Sequence, residues 1–141
     1  MIISKANNYK ANVVALLATE KLPVADLPEH LDNFLVALEH GELIGVAGMD
    51  IYGQSALLRS VAVQPSDRNK GVGEKLLHRI EDLARSRGIN AIYLLTETAS
   101  GYFIKKNYQQ ITRNKVPDDV LGSTEFSFVC PQSAIVMKKI L

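Results

Sequence analysis

Leu58-Arg59-Ser60-Val61-Ala62-Val63-Gln64-Pro65-Ser66-Asp67-Arg68-Asn69-Lys70-Gly71-Val72-Gly73 decides the fold of this 141-residue chain. Its first half is an apolar, valine-rich run, the composition of a strand. Pro65 closes that strand, because it has no N–H to give to a ladder. A polar turn follows through Lys70. From Val72 the period changes: Val72, Leu76, Leu77, Ile80, Leu83 and Ala84 recur at spacings of three and four, an apolar stripe along one helix. Glu74, Lys75, His78, Arg79, Glu81, Asp82 and Arg85 are expected on the other face, and Gly88 stops the helix. Ile89–Leu95 is a near-continuous apolar strand of the kind buried on both faces. Strand, helix and strand form a βαβ unit with parallel strands and a right-handed crossover.

Upstream, the apolar runs Phe34–Glu39 and Leu43–Ile51 flank His40-Gly41-Glu42, a hairpin signal. A turn at Tyr52–Ser55 leads into Ala56–Val63, so a series of antiparallel strands precedes the helix. Ile2 and Ile3 read as an edge strand, and Asn12–Lys21 as an amphipathic helix capped by Asn7 or Asn8. Leu22–Pro28 contains Pro23 and Pro28 and must be irregular. Downstream come a short helix near Ser100–Lys106, a strand near Tyr108–Thr112, a polar loop holding Pro117 and Gly122, and a final strand Ser133–Ile140. The expected class is α+β in a single domain over residues 1–141: a mixed, mostly antiparallel twisted sheet, one central parallel pair, helices on both faces.

Composition narrows the function classes. With 47% hydrophobic and 22% charged residues the chain is globular, and a net charge of +1 supplies no field to draw it to nucleic acid or membrane. Cys130 is the only cysteine, which excludes an internal disulfide, and a buried structural thiol is its expected role. His30, His40 and His78 lack ligand spacing, so no metal is expected. No signal peptide or long apolar run occurs, and a cytoplasmic location is the default.

The chemistry lies in the turn. A helix N-terminus leaves backbone N–H groups without acceptors and carries partial positive charge. Gly71 and Gly73 let a bulky anion approach those amides without meeting a Cβ, and Arg68 and Lys70 add charge beside them. A diphosphate suits that arrangement. The bland alternative is that both glycines only let the helix pack closely on the sheet while the basic residues are solvated. A dinucleotide fingerprint would need a third glycine at position 76, where Leu76 stands, and neither a Walker loop nor a nucleophile elbow occurs.

On these residues the chain resembles the GNAT (GCN5-related) acetyltransferases, whose signature is a strand followed by Arg/Gln-x-x-Gly-x-Gly/Ala opening a helix. Tyr102-Phe103-Ile104-Lys105-Lys106-Asn107-Tyr108 is similar to the family's segment after the next strand. The resemblance implies a splayed parallel pair and acetyl-CoA as cosubstrate. It further implies an acyl-carrier arm laid along Val61, Ala62 and Val63, and a diphosphate held by Arg68, Asn69, Lys70, Gly71, Val72, Gly73 and Glu74. Phe103 and Lys106 are implied as further contacts to the cosubstrate, although Phe103, like Phe34, Tyr93 and Tyr108, reads most simply as core. The backbone N–H groups of Val61 and Val63 are the implied donors to the reacting carbonyl. Thr124–Met137 resembles the tail of arsenic-resistance and amino-acid acetyltransferases of the N-acetylglutamate synthase kind, which implies a small-molecule amine acceptor, an amino acid or a glutamate-like analogue.

The chain also departs from the family. The usual acid tyrosine is Phe103, the usual base glutamate is Leu57, and Asn107 replaces a glycine. Direct acetyl transfer by positioning, with water relaying the amine's proton, is the expected mechanism. A non-catalytic acyl-CoA sensor and a protein or peptide amine acetyltransferase are the competing readings. Alternation places Arg59 on the face of Val61 and Val63, where an anionic partner is required: a substrate carboxylate, or an internal acid such as Glu97 or Glu125. Thr96 and Thr98, at the C-terminal end of the second parallel strand, are candidate substrate contacts, or else they cap the next helix. The apolar last strand, Ala134–Leu141, could pair across a homodimer.

Overall fold

The computed structural model describes residues 1–123, 126 and 133–141; Glu125, Cys130 and most of the tail that resembles the amino-acid acetyltransferases lie outside them. The strands are β1 (Ile2–Lys5), β2 (Phe34–Glu39), β3 (Glu42–Tyr52), β4 (Ser55–Val63), β5 (Ala91–Thr96), β6 (Gln109–Ile111) and β7 (Ile135–Ile140). They form one sheet in the order β1-β2-β3-β4-β5-β7-β6, mostly antiparallel, with β4 and β5 the parallel pair. The helices are α1 (Lys10–Thr19), α2 (Val72–Ser86), α3 (Ser100–Lys105) and α4 (Asp118–Leu121). Met1–Met49 with Arg59–Ala84 make one compact unit, and Asp50–Leu58 with Arg85–Leu141 a second.

In the first unit, β2 and β3 join through His40 (φ 50°) and Gly41 (φ 79°), the left-handed pair that matches strand twist in a two-residue hairpin. Val13, Leu16 and Leu17 of α1 pack with Phe34, Val36, Val46 and Ala62. Gly45, the neighbour of Val46, points to the opposite face of β3. A Cβ on Gly45 would lie 3.0 Å from Leu76 and 3.1 Å from Val72, so α2 lies against that face. The glycine that lets helix meet sheet is therefore Gly45. On the α1 face, Gly48 stands opposite Phe34, whose ring covers it so closely that a Cβ would come within 2.3 Å.

The apolar stripe of α2 is buried at Val72, Leu76, Leu77, Ile80 and Ala84, while Leu83 is half-buried. Burying each large side chain contributes about 1.5–3 kcal/mol, which is what fixes the helix to the sheet. Glu81 departs from the expected polar face: it is buried. α1 also corrects the expectation. It begins at Lys10 behind a short 3-10 turn at Asn7–Tyr9, and no side chain caps it. Asn7 instead donates to Asp32 at 3.0 Å.

In the second unit the parallel ladder covers Ser55–Leu57 with Ala91–Tyr93. β4 runs on to Val63, and β5 continues to Thr96 paired with β7. Ala91–Leu94 are all buried, as a strand covered on both faces requires. The stretch expected as a polar loop has structure of its own: a 3-10 turn at Arg113–Lys115 and α4, which seat Val116 and Val120 against Leu57, Tyr93 and Val136. β7 pairs with β5 on one edge and with β6 over Val136–Lys138 on the other, so those residues are closed to pairing across a dimer.

Candidate functional site

The turn between β4 and α2 lies wholly in the first unit. Pro65–Asp67 form a 3-10 turn, Arg68 is extended, and Asn69 (φ 64°) and Gly71 (φ 80°) are left-handed. Asn tolerates that region and glycine enters it at no steric cost. A Cβ on Gly71 would meet nothing within 4 Å beyond its own chain neighbours, so packing does not require glycine there. What requires it is the backbone conformation. Lys75 is the first residue to donate within this helical region, to Gly71 O at 3.1 Å. The N–H groups of Val72 and Gly73 precede it at the start of the helix, where no preceding turn offers them a carbonyl.

The turn's charges are held locally. Arg68 pairs with Glu20 and donates from Nε to Val63 O at 3.3 Å, and Lys70 lies 3.7 Å from Asp67. Glu74, the acid of the first helical turn, lies 3.8 Å from His78. Arg68 is about half exposed and Lys70 more so, and both can reach a larger anion at the helix start.

β4 supplies the other half of the site. Gln64 N–H donates to Ile44 O of β3 at 2.8 Å, so alternation turns the Val61 and Val63 N–H groups to the edge away from β3. Both residues are half-buried, with Ala62 buried between them. Ahead of them Ser60 has φ 57°, a left-handed residue inside a strand and the mark of a bulge.

That bulge overturns the expected orientation of Arg59. Its guanidinium lies 5.9 Å over the ring of Phe34, in the cluster that also takes Ala62, so Arg59 shares a face with Ala62 and not with Val61 and Val63. A regular strand forbids that odd–even pairing. Among the described residues Arg59 pairs with Asp26, at 2.8 Å, with both side chains almost fully buried. An internal acid thus holds this arginine, one not named from sequence; Glu125 lies outside the described residues. Asp26 was missed because it lies 33 residues away in a proline-bounded segment with no regular pattern.

The remaining candidates belong to the second unit. Thr96 Oγ1 accepts the Ala99 N–H at 3.0 Å and so closes the turn before α3, whose N-cap residue is Ala99 and which no side chain caps, and Thr98 is exposed. Phe103 is buried, edge-on to Tyr102 and Tyr108 at 5.3 and 5.4 Å. Lys106 Nζ lies 5.5 Å over the Tyr102 ring, and Asn107 takes the left-handed φ of 72° that a glycine would otherwise supply. Leu57 sits in the core cluster. In the first unit a cavity of about 400 Å³ is lined by Tyr9, Asn12, Thr19, Glu42 and Gln64 among others. Its lining holds no cationic side chain, so an anion is better served at the α2 turn.

Fold and turn together define a mixed-sheet protein that offers helix amides and basic side chains to an anion beside a strand with outward N–H groups. The chain belongs to the GNAT acetyltransferase family: the model described as "Acetyltransferase (GNAT) family" matches residues 11–106. It is 33% identical over 101 residues to an uncharacterized N-acetyltransferase of Chlorobaculum tepidum, covering 71% of this chain and 64% of that one. It is 27% identical over 94 residues to an amino-acid acetyltransferase of Neisseria meningitidis, covering 65% of this chain and only 22% of that one. Among solved structures, the Rv2747 protein of Mycobacterium tuberculosis, in complex with CoA and a second ligand, superposes with a TM-score of 0.86 at 20% identity over 100% of this chain and 99% of that one. The N-acetylglutamate synthase of Neisseria gonorrhoeae, complexed with coenzyme A and N-acetyl-glutamate, does so with a TM-score of 0.81 at 19% identity over 99% of this chain and 35% of that one.

Proposed function

We propose that this chain transfers acetyl from acetyl-CoA directly to the amino group of a small molecule, an amino acid or a glutamate-like analogue. The observation that carries this reading is the left-handed turn at Asn69 and Gly71 that opens α2 beside Arg68 and Lys70, with open space where a Gly71 Cβ would stand. Helix amides, dipole and flanking cations are what a diphosphate needs. Acetyl-CoA, when bound, supplies an activated thioester. Arg68 to Glu74 hold its diphosphate, and Val61 and Val63 present N–H groups to its arm and to the carbonyl oxygen, where negative charge develops. The amino-acid acetyltransferase relatives and the neighbouring N-acetylglutamate synthase support an amino-acid acceptor.

Neither the Phe103 nor the Leu57 side chain carries a proton to donate or accept, and both are buried. Catalysis in this reading therefore rests on orientation, with solvent taking the amine's proton and the positive end of α2 favouring the departing thiolate. Thr98 stays a candidate substrate contact, Phe103 and Lys106 stay candidate cosubstrate contacts, and Arg59 contributes indirectly. The test is thiol release from acetyl-CoA with glutamate, its phosphinic and arsenical analogues, and aliphatic polyamines. Turnover restricted to the amino acids is expected. Binding of acetyl-CoA with no turnover on any amine would favour the sensor reading.

A further inference from the structure

We propose that Asp26 and Arg59 are positioning residues that hold the Ser60 bulge and so aim the Val61 N–H at the reacting carbonyl; the catalytic half of this inference rests on the function proposed above. Ser60 is not a glycine, yet it sits at φ 57° inside β4. Such a conformation persists only where its surroundings over-determine it. Arg59 supplies that determination. Its Nε donates to Ser60 Oγ at 3.2 Å, its Nη1 to Asp26 O at 3.4 Å and its Nη2 to Asp26 Oδ1 at 2.8 Å. The guanidinium lies 5.9 Å over Phe34, and Phe34 is itself fixed against Gly48, so the fork has a rigid floor.

The pair is a poor device for stability. Asp26 Oδ2 is buried and accepts no hydrogen bond among the described residues. Removing two charges from water costs more than such a pair returns unless every lone pair is satisfied. What the arrangement does provide is geometry. One clamp ties the irregular Leu22–Pro28 segment to the single residue at which β4 changes parity, immediately before the two amides that the reaction needs.

The experiment is a kinetic double-mutant cycle on the full chain with Asp26→Asn and Ser60→Gly, read alongside calorimetric CoA binding and the amide resonances of Ser60 and Val61. Asp26→Asn is expected to lower kcat on the order of tenfold, as small misplacements do, with CoA affinity unchanged and both resonances shifted. In the Ser60→Gly background the same change is expected to cost about twofold or less, because glycine holds the left-handed conformation unaided. An unchanged kcat, or equal losses in both backgrounds, overturns the proposal. Should Asp26→Asn fail to fold, Ser60→Ala decides: it removes the hydroxyl that Arg59 grips, and full activity in that variant overturns the clamp. If the parent neither binds CoA nor turns over, the acetyltransferase reading fails. The resonance shift then still reports on the clamp, and unmoved Ser60 and Val61 signals sink it independently.

Discussion

Replacing Gly71 with Ala separates the two things that glycine provides. The first is conformation. At φ 80° a Cβ is strained whatever the available space, and the cost for an L-residue in the left-handed region is about 1–2 kcal/mol. For a chain of this size each kcal/mol lowers Tm by about 3–5 °C. That strain is present with and without cosubstrate, so it appears in Tm and cancels from Kd. The second is space. The new Cβ meets nothing within 4 Å beyond its chain neighbours, so any loss of affinity arises from contact with what binds there. Gly71→Asn is the control, because Asn enters the left-handed region more readily while still carrying a Cβ. Calorimetry is expected to show CoA affinity falling at least about tenfold, or about 1.4 kcal/mol, in both variants. Tm is expected to fall further for Ala than for Asn. Affinity for acetyl-pantetheine, which lacks the diphosphate, is expected to be unchanged. Undiminished CoA affinity in both variants, or an equal loss toward acetyl-pantetheine, would refute the diphosphate assignment.

Gly45→Ala places a methyl 3.0 Å from Leu76, 3.1 Å from Val72 and 3.3 Å from Ala62 O. Overpacking of that kind costs about 1–3 kcal/mol in thermal or urea unfolding, and displacement of the α2 start is expected to raise KM for acetyl-CoA as well. Arg68→Ala removes a cation that is about half exposed and is expected to weaken CoA by only about 2–5-fold, with a flatter dependence of Kd on salt. Thr96→Val leaves the Ala99 N–H without its acceptor and is expected to cost about 1 kcal/mol of stability with KM for the amine unchanged. A raised KM there would return Thr96 to the substrate site.

What could be read from the sequence was whatever repeats with a period or breaks one. The α2 stripe is legible because Val72, Leu76, Leu77, Ile80 and Ala84 recur at helical spacing and are all buried. The hairpin at His40-Gly41 and the doubly covered β5 are legible for the same kind of reason. Asn107 in place of the family's glycine was readable too, because asparagine tolerates the φ found there. Three features carry no local signature. Ser60 adopts a glycine-like φ with nothing in its own chemistry to announce it, and that one residue reverses the face assigned to Arg59. Asp26 pairs with Arg59 across a long sequence separation, which no periodicity reports. Val116 and Val120 look like isolated apolar residues in a polar loop until tertiary packing assigns them to the core.

The central claim is that the amides opening α2 hold the diphosphate of CoA while the Val61 and Val63 N–H groups face its acyl arm. An amide-resolved NMR titration of the full chain with CoA tests it most directly. Saturable shifts centred on residues 71–74, with Val61 and Val63 moving at the same midpoint, are the expected result. CoA that leaves those amides unmoved, whether it binds elsewhere or fails to bind, would contradict it.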